Sequence, residues 1–277
     1  MPHPIAHSYL FVPGNRPERF SRAAGAGAHA VIVDLEDAVP PADKVAARES
    51  LAGWLSPDRR VMVRINARNT EWYQEDIALC RHPGVAGVVL PKAEEIGPEL
   101  LALCAGSDRT ILPLVETAGG FDRARALASA PGVERLLFGS IDFQVDLGID
   151  GDGDELLYFR SQLVLASRLA GALAPVDGVC PEIDDPELLQ AETLRARRLG
   201  FGGKLCIHPR QVPLVNASFA PSAETVAWAR RVLEVAERAS GAAVAVDGRM
   251  VDRPVIIKAE RILADAAAAQ SRPASLP

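Results

Sequence analysis

Residues 30–37 read Ala30-Val-Ile-Val-Asp34-Leu-Glu36-Asp37: four apolar residues in a row, then three acids around one leucine. Unbroken hydrophobicity, in place of period-two alternation, marks a strand buried on both faces, as in parallel sheets. The acids begin where the apolar run ends, so the charge gathers at the strand's C-terminal end. The same design recurs along the chain. Apolar runs at 9–12, 30–35, 61–65, 87–90, 111–115, 135–138, 176–180 and 204–207 alternate with helical patterns at 17–26, 41–54, 72–81, 97–105, 121–130, 156–173 and 186–198. Eight strands alternating with helices is the arithmetic of an α/β protein of the (β/α)8 TIM barrel type. A doubly wound open sheet is the second choice, because periodicity does not reveal closure.

The remainder of the chain differs in kind. An amphipathic helix is expected at 222–239, a turn-rich segment at 241–252, a final helix at 254–267 and a frayed end at 270–277. This gives a barrel over 1–220 and a helical lid extension over 221–277. Trp228 and Leu233 on the amphipathic helix need a surface to cover, which a neighbouring protomer can supply.

Composition bounds the partners. The chain has 277 residues, 48% of them apolar, and a formal net charge of −6. A mildly acidic surface argues against nucleic acid, and no apolar run is long enough for a membrane span. The N-terminus has no charged region leading into an apolar stretch, as a secretory signal requires. Cys80, Cys104, Cys180 and Cys206 form no CxxC pair, and buried free thiols in a cytoplasmic protein are expected. Three apparent motifs fail. Gly25-Ala-Gly27 lacks a third glycine and precedes a strand. Asp150, Asp152 and Asp154 open like a calcium loop, but Glu155 stands where glycine is required and Ser161 where the bidentate glutamate belongs; a solvated loop and helix cap is expected. Gly202-Gly203-Lys204 leads into a strand, so it is no phosphate loop.

The polar residues at strand ends carry the chemistry. Strand two ends in Asp34, Glu36 and Asp37, and strand three in Arg64 and Asn66. Strand four ends at Lys92, strand five at Glu116, strand six at Ser140-Ile-Asp142, and strand eight at His208. In a barrel these ends form one rim, and a charge in a buried strand must be paired or bind a ligand. A plug of structural ion pairs is the plainer alternative. Glu116 and Asp142 are hard oxygen donors on adjacent strands, suited to Mg²⁺ or Mn²⁺ with a substrate supplying further oxygens. A 2-keto acid offers a chelate through its carboxylate and carbonyl. Arg64 matches an oxyanion, and metal plus arginine beside a carbonyl is equipment for stabilising an enolate. Glu36 and Asp37 are placed to hold Arg64 or a metal-bound water, or else to form rim salt bridges with Lys44 and Arg48. His208 is read as a structural hydrogen-bonding residue, and Lys92 as a counter-charge inside the barrel.

Several of these stretches together resemble the citrate lyase β-subunit-like family: Ser8-Tyr-Leu-Phe-Val-Pro-Gly-Asn-Arg16-Pro, Val-Asp34-Leu-Glu36-Asp37-Ala-Val, Val-Arg64-Ile-Asn66, Leu-Pro91-Lys92, Val-Glu116-Thr-Ala, Asp142-Phe and Gly-Phe-Gly-Gly-Lys204-Leu-Cys-Ile-His208-Pro. The resemblance spans nearly the whole chain, in order. It implies a (β/α)8 barrel that cleaves or forms carbon–carbon bonds in 3-hydroxy-acyl thioesters such as malyl-, citramalyl- or citryl-CoA, yielding an acyl-CoA and a 2-keto acid. It further implies Mg²⁺ on Glu116 and Asp142, Arg64 against the keto acid and developing enolate, and CoA near Arg16. The segment Asp247-Gly-Arg-Met-Val-Asp252-Arg-Pro resembles the lid of the CoA-lyase branch. There the matching aspartate, here Asp252, transfers a proton in a neighbouring subunit's site, so a homo-oligomer, trimer or hexamer, is implied. Ile141 departs from the pattern, standing where many relatives carry an acid. Three other readings are open: a metal-dependent pyruvate aldolase acting without CoA, a citrate lyase β-subunit using an acyl-carrier-protein thioester, and a metabolite-binding protein without catalysis.

Overall fold

The computed structural model describes residues 6–238, 244–246 and 249–270. Eight parallel strands, β1 (Ser8–Pro13), β2 (Ala30–Asp34), β3 (Val61–Arg64), β4 (Val85–Leu90), β5 (Thr110–Val115), β6 (Leu137–Phe138), β7 (Val176–Asp177) and β8 (Gly203–Cys206), pair in chain order. β8 returns to β1 through Ser8↔Lys204, Tyr9↔Leu205 and Leu10↔Cys206. The sheet is therefore a closed barrel with helices between the strands, and the open doubly wound alternative is excluded.

Alternation along each strand sorts the side chains into layers. Tyr9, Ile32, Leu112, Leu114, Leu137, Val176 and Leu205 are buried together inside the barrel, with Met62 packed against them. Two residues further along their strands, on the same face, come Asp34 after Ile32, Arg64 after Met62 and Glu116 after Leu114. An apolar floor thus carries a charged layer directly above it. Burying each large apolar side chain contributes roughly 1.5–3 kcal/mol, and this offsets the cost of charge at the mouth.

β6 and β7 are shorter than the expected 135–138 and 176–180. Arg135 is fully buried and serves as a clamp instead of a ladder residue: its guanidinium donates to the carbonyls of Ala174 and Ala6 and to the Tyr9 hydroxyl. On the outer face of β7 and β8, Lys204 lies 3.1 Å from Glu192 and 3.8 Å from Asp177, and Arg160 binds Asp177 at 2.8 Å. Asp152 receives both Arg160 and Arg195. The expectation of a solvated loop fails there, because Asp152 is the hub of an ion-pair network.

Two helices have no counterpart in the periodicity, Ser140–Leu147 and Val212–Phe219, and the expected helix 121–130 breaks into Ala118–Asp122 and Ala124–Ala128. Ser140–Leu147 stops at Gly148, whose φ of 68° is the left-handed conformation that glycine tolerates at a helix end. All four cysteines are buried and unpaired. No described helix is long and apolar enough to cross a membrane.

The chain divides into two compact units, the first Ala6–Asn216 and the second beginning at Ala217. In the second, helices Ala223–Arg238 and Arg253–Gln270 flank a hairpin of β9 (Val244–Val246) and β10 (Arg249–Val251). Ala229, Val232, Val251 and Ala259 form its core, with Trp228 and Leu233 packed on it, and the Lys258 ammonium sits 5.7 Å from the Trp228 ring centre. The apolar face of the first helix is therefore covered within its own unit, which removes the argument that it requires a neighbouring protomer. Of the expected frayed end at 270–277, Gln270 closes the helix Arg253–Gln270 and 271–277 lie outside the described residues, as do 247 and 248 of the lid segment.

Candidate active site

Asp34 and Arg64 are register partners on β2 and β3. The Asp34 carboxylate accepts from Arg64 Nε at 2.7 Å and Nη2 at 2.5 Å, a bidentate pair that is almost wholly buried. Asp34 also accepts the main-chain N–H groups of Glu36 and Ala38, which bends the chain after β2 around the carboxylate. Glu36 Oε2 then meets Arg64 Nη1 at 3.1 Å. A guanidinium has five N–H donors. Asp34 takes two of them, and Nη1 faces Glu36 as an ion pair without a hydrogen bond, so both terminal nitrogens keep N–H groups for a ligand. Burial opposes the Arg64 charge, but Asp34, Glu36 and Glu116 more than offset it and hold the pKa above the usual arginine value.

Lys92 connects this pair to the next strand. Its ammonium binds Glu36 Oε1 at 2.6 Å and Asp37 Oδ2 at 3.2 Å, while its main-chain N–H donates to Glu116 Oε1 at 2.6 Å. Burial raises the Glu36 pKa despite Arg64 and Lys92. For Asp37 the balance is reversed: burial pushes upward, but hydrogen bonding and Lys92 hold it below the ordinary aspartate value.

Glu116 is 1% exposed, and its Oε2 has no hydrogen-bond partner among the described residues. Burial, reinforced by the charges of Asp142 and Glu36, pushes its pKa up to about 8 against the Lys92 N–H and Arg64. Such an oxygen is costly unless a cation or donor occupies the space before it. Asp142, in the first turn of Ser140–Leu147, lines the same cavity. Gly139 lets the chain pass close over Glu116: a Cβ there would fall 2.6 Å from both Glu116 Cβ and Oε2. Two carboxylates without sulfur or imidazole form a hard donor set, which fits Mg²⁺ or Mn²⁺. No cluster of three or more metal-binding side chains occurs among the described residues, so further ligands fall to water and substrate, as is usual for Mg²⁺.

The cavity holds about 740 Å³, within the range of small-molecule sites. Asp34, Asp37, Arg64, Lys92, Glu116 and Asp142 supply its charge, and Phe11, Leu114, Phe138 and Leu205 its apolar wall. The Arg64 guanidinium also stacks 5.0 Å from the Phe11 ring centre.

Of the residues singled out from the sequence, Arg64, Glu36, Asp37, Glu116 and Asp142 converge here. The division of labour differs in one respect: Asp37 meets Lys92, not Arg64, and Asp34 is the chief partner of Arg64. Rim salt bridges to Lys44 and Arg48 do not form with these acids. Lys44 donates to the carbonyls of Leu35 and Glu36, and Arg48 pairs with Glu75 and Asp76. Arg16 does not line the cavity; it is exposed on the loop after β1, 3.9 Å from Glu18. His208 caps the turn after β8, accepting from Arg210 N at 3.2 Å. Asp252 caps helix Arg253–Gln270, accepting from Val255 N at 3.4 Å. The buried thiols offer no nucleophile at neutral pH, since burial pushes Cys180 to about 11 and Cys206 to about 12.

Comparison with known proteins agrees with this fold. Residues 7–209 match the model of the HpcH/HpaI aldolase/citrate lyase family. A citrate lyase subunit beta-like protein of Deinococcus radiodurans is 36% identical over 95% of this chain and 98% of its own. A (3S)-malyl-CoA thioesterase of Cereibacter sphaeroides is 32% identical over 96% of each. The crystal structure of CitE from Mycobacterium tuberculosis in complex with magnesium, acetoacetate and coenzyme A superposes with a TM-score of 0.83 at 38% identity, over 95% of this chain and 98% of that one. With the barrel closed, the carboxylates at the ends of β5 and β6 in one cavity and the match running through all eight strands, the chain belongs to the HpcH/HpaI aldolase/citrate lyase family.

Proposed function

We propose that the protein is a Mg²⁺-dependent carbon–carbon lyase that cleaves, or in reverse forms, a 3-hydroxy-acyl-CoA thioester such as malyl-, citramalyl- or citryl-CoA, giving an acyl-CoA and a 2-keto acid. The observation that carries this reading is Glu116 Oε2, a buried carboxylate oxygen without a hydrogen-bond partner among the described residues, in one cavity with Asp142 and Arg64. The relatives lend it the substrate class, through a malyl-CoA thioesterase and a CitE bound to magnesium, acetoacetate and coenzyme A.

Glu116 and Asp142 are the residues to hold the ion, which when bound polarises the keto-acid carbonyl as a Lewis acid. Arg64 has N–H groups left on its terminal nitrogens for the oxygen that gains charge as the bond breaks. Asp34 fixes the guanidinium plane in advance, so no reorganisation is needed at that moment. Glu36 braces the far nitrogen, and Lys92 and Asp37 brace Glu36. The apolar wall of Phe11, Leu114 and Leu205 lowers the polarity on one side of these groups, which strengthens their interactions.

The remaining assignments extend this reading. Arg16 contacts the CoA portion; its exposed position on the β1 loop leaves it accessible to a ligand's phosphates. Asp252 from a neighbouring copy exchanges a proton with the thioester carbon, with 221–277 acting as lid and 1–220 as catalytic barrel. The protein forms a homo-oligomer, a trimer or hexamer, supported by exposed Val145, Tyr158, Leu165 and Leu169 on the helices Ser140–Leu147 and Leu157–Ala170. It acts in the cytoplasm, in keeping with four unpaired cysteines. The test is a screen of malyl-, citramalyl- and citryl-CoA with and without Mg²⁺, with products identified by mass spectrometry. Metal-dependent release of a 2-keto acid and an acyl-CoA is expected. Absence of cleavage of all three thioesters overturns the assignment.

A further inference from the structure

Lys92 stands apart from every other described residue: it is the one non-glycine with a positive φ, 46°. Side chains other than glycine, asparagine and aspartate seldom adopt this conformation, and in native structures it concentrates at functional sites. The consequence here is geometric. The left-handed turn lets a single residue face two ways, with its N–H 2.6 Å from Glu116 Oε1 and its ammonium 2.6 Å from Glu36 Oε1. One oxygen of Glu116 is thereby engaged and the other left without a hydrogen bond, and Glu36 is held with its second oxygen in an ion pair 3.1 Å from Arg64 Nη1. The lysine side chain is 40% exposed and lines the cavity.

We infer that Lys92 is a positioning residue with two separable parts: its main chain selects which Glu116 oxygen faces the cavity, and its ammonium keeps Glu36 against Arg64. The inference rests on the Mg²⁺-lyase reading and adds to it a residue that supports both halves of the site. A residue that orients a metal-binding carboxylate typically controls affinity or activity by roughly 10–100-fold.

Two substitutions separate the parts. Lys92→Gly and Lys92→Val both lose the ammonium, but only glycine is at ease with a positive φ, while a β-branched residue there is a genuine outlier. Calorimetry with Mg²⁺ alone is expected to show Lys92→Gly near wild type and Lys92→Val weaker by roughly 10–100-fold. Turnover of the thioester falls in both. In Lys92→Gly, n-butylammonium, which replaces the missing side chain, restores part of the turnover in a saturable manner; Arg64→Lys gains nothing from it. If thermal melting of the metal-free proteins shows Lys92→Val unfolded, Lys92→Ala supplies the same contrast with less strain. Equal Mg²⁺ affinities for the glycine and β-branched variants, or wild-type turnover in Lys92→Gly, overturns the inference. A wild type that binds no Mg²⁺ overturns the functional reading along with it, whereas a wild type that binds Mg²⁺ beside unaffected variants overturns this inference alone.

Discussion

Asp34 grips Arg64 by its Nε edge, so the arginine is at once a paired structural ion and a partly free donor to the cavity. The two roles separate by substitution. Asp34→Ala leaves a buried guanidinium short of its main partner and is expected to destabilise the fold by about 3–5 kcal/mol in denaturant unfolding. Arg64→Lys keeps a cation near Asp34 but loses the planar fork. Its expected effect is on turnover, at roughly 2.7–4 kcal/mol in transition-state stabilisation. Wild-type kinetics in Arg64→Lys, measured at saturating and limiting thioester, makes the residue a counter-ion only.

Glu116 gives a pH signature. Its folded pKa, about 8, lies above the ordinary value of 4.5, so the native state retains a proton that the unfolded chain releases. Its contribution to stability is complete below about pH 4.5 and is lost as pH rises to about 8. The melting temperature of metal-free wild type minus that of Glu116→Gln is expected to fall across this window. Mg²⁺ requires the ionised carboxylate, so its affinity rises over the same range and binding releases a proton. A flat melting difference from pH 5 to pH 8, roughly this interval, contradicts the assignment.

Gly139 offers a way to disturb the metal pair without touching a carboxylate. With a φ of −87° it carries no backbone strain, so the effect of Gly139→Ala is steric displacement of Glu116 alone. Mg²⁺ affinity is expected to drop by roughly 10–100-fold with both carboxylates intact. Unchanged calorimetric affinity shows that the position of Glu116 is not tuned by this contact.

The subunit-exchange role of Asp252 needs a mixing experiment, because Asp252 also caps a helix and its loss costs about 1 kcal/mol either way. Asp252→Ala and Glu116→Ala chains, each inactive, are refolded together. Hybrid oligomers are expected to regain activity, since some sites then combine an intact barrel with an intact Asp252. Verified hybrids without activity eliminate exchange between subunits.

The strands were legible because doubly buried β-structure leaves an uninterrupted apolar run, and the rim because charge at the end of such a run has few explanations. What was not legible depended on register and torsion. Nothing in 30–37 says which of three acids meets Arg64; the pairing Asp34↔Arg64 decides it. The positive φ of Lys92 is invisible in a residue that does not advertise it as glycine does. Helix Ser140–Leu147 is too short for its periodicity to register, and only Gly139 and Gly148 at its ends mark it. The amphipathic pattern around Trp228 was real, but a pattern does not name the surface that covers it.

The barrel wall is uneven: β6 and β7 have two residues each and share a single register pair, Leu137↔Val176. Amides in β2–β4 are expected to exchange with solvent deuterium only through global unfolding, and those flanking the β6–β7 seam through local opening as well. Glu116 follows the better-zipped β5, while Asp142 follows β6. A cation held by both carboxylates would anchor β6, one side of that seam, to the firmer β5, and slowed exchange around residue 137 on adding Mg²⁺ would register its arrival without any turnover.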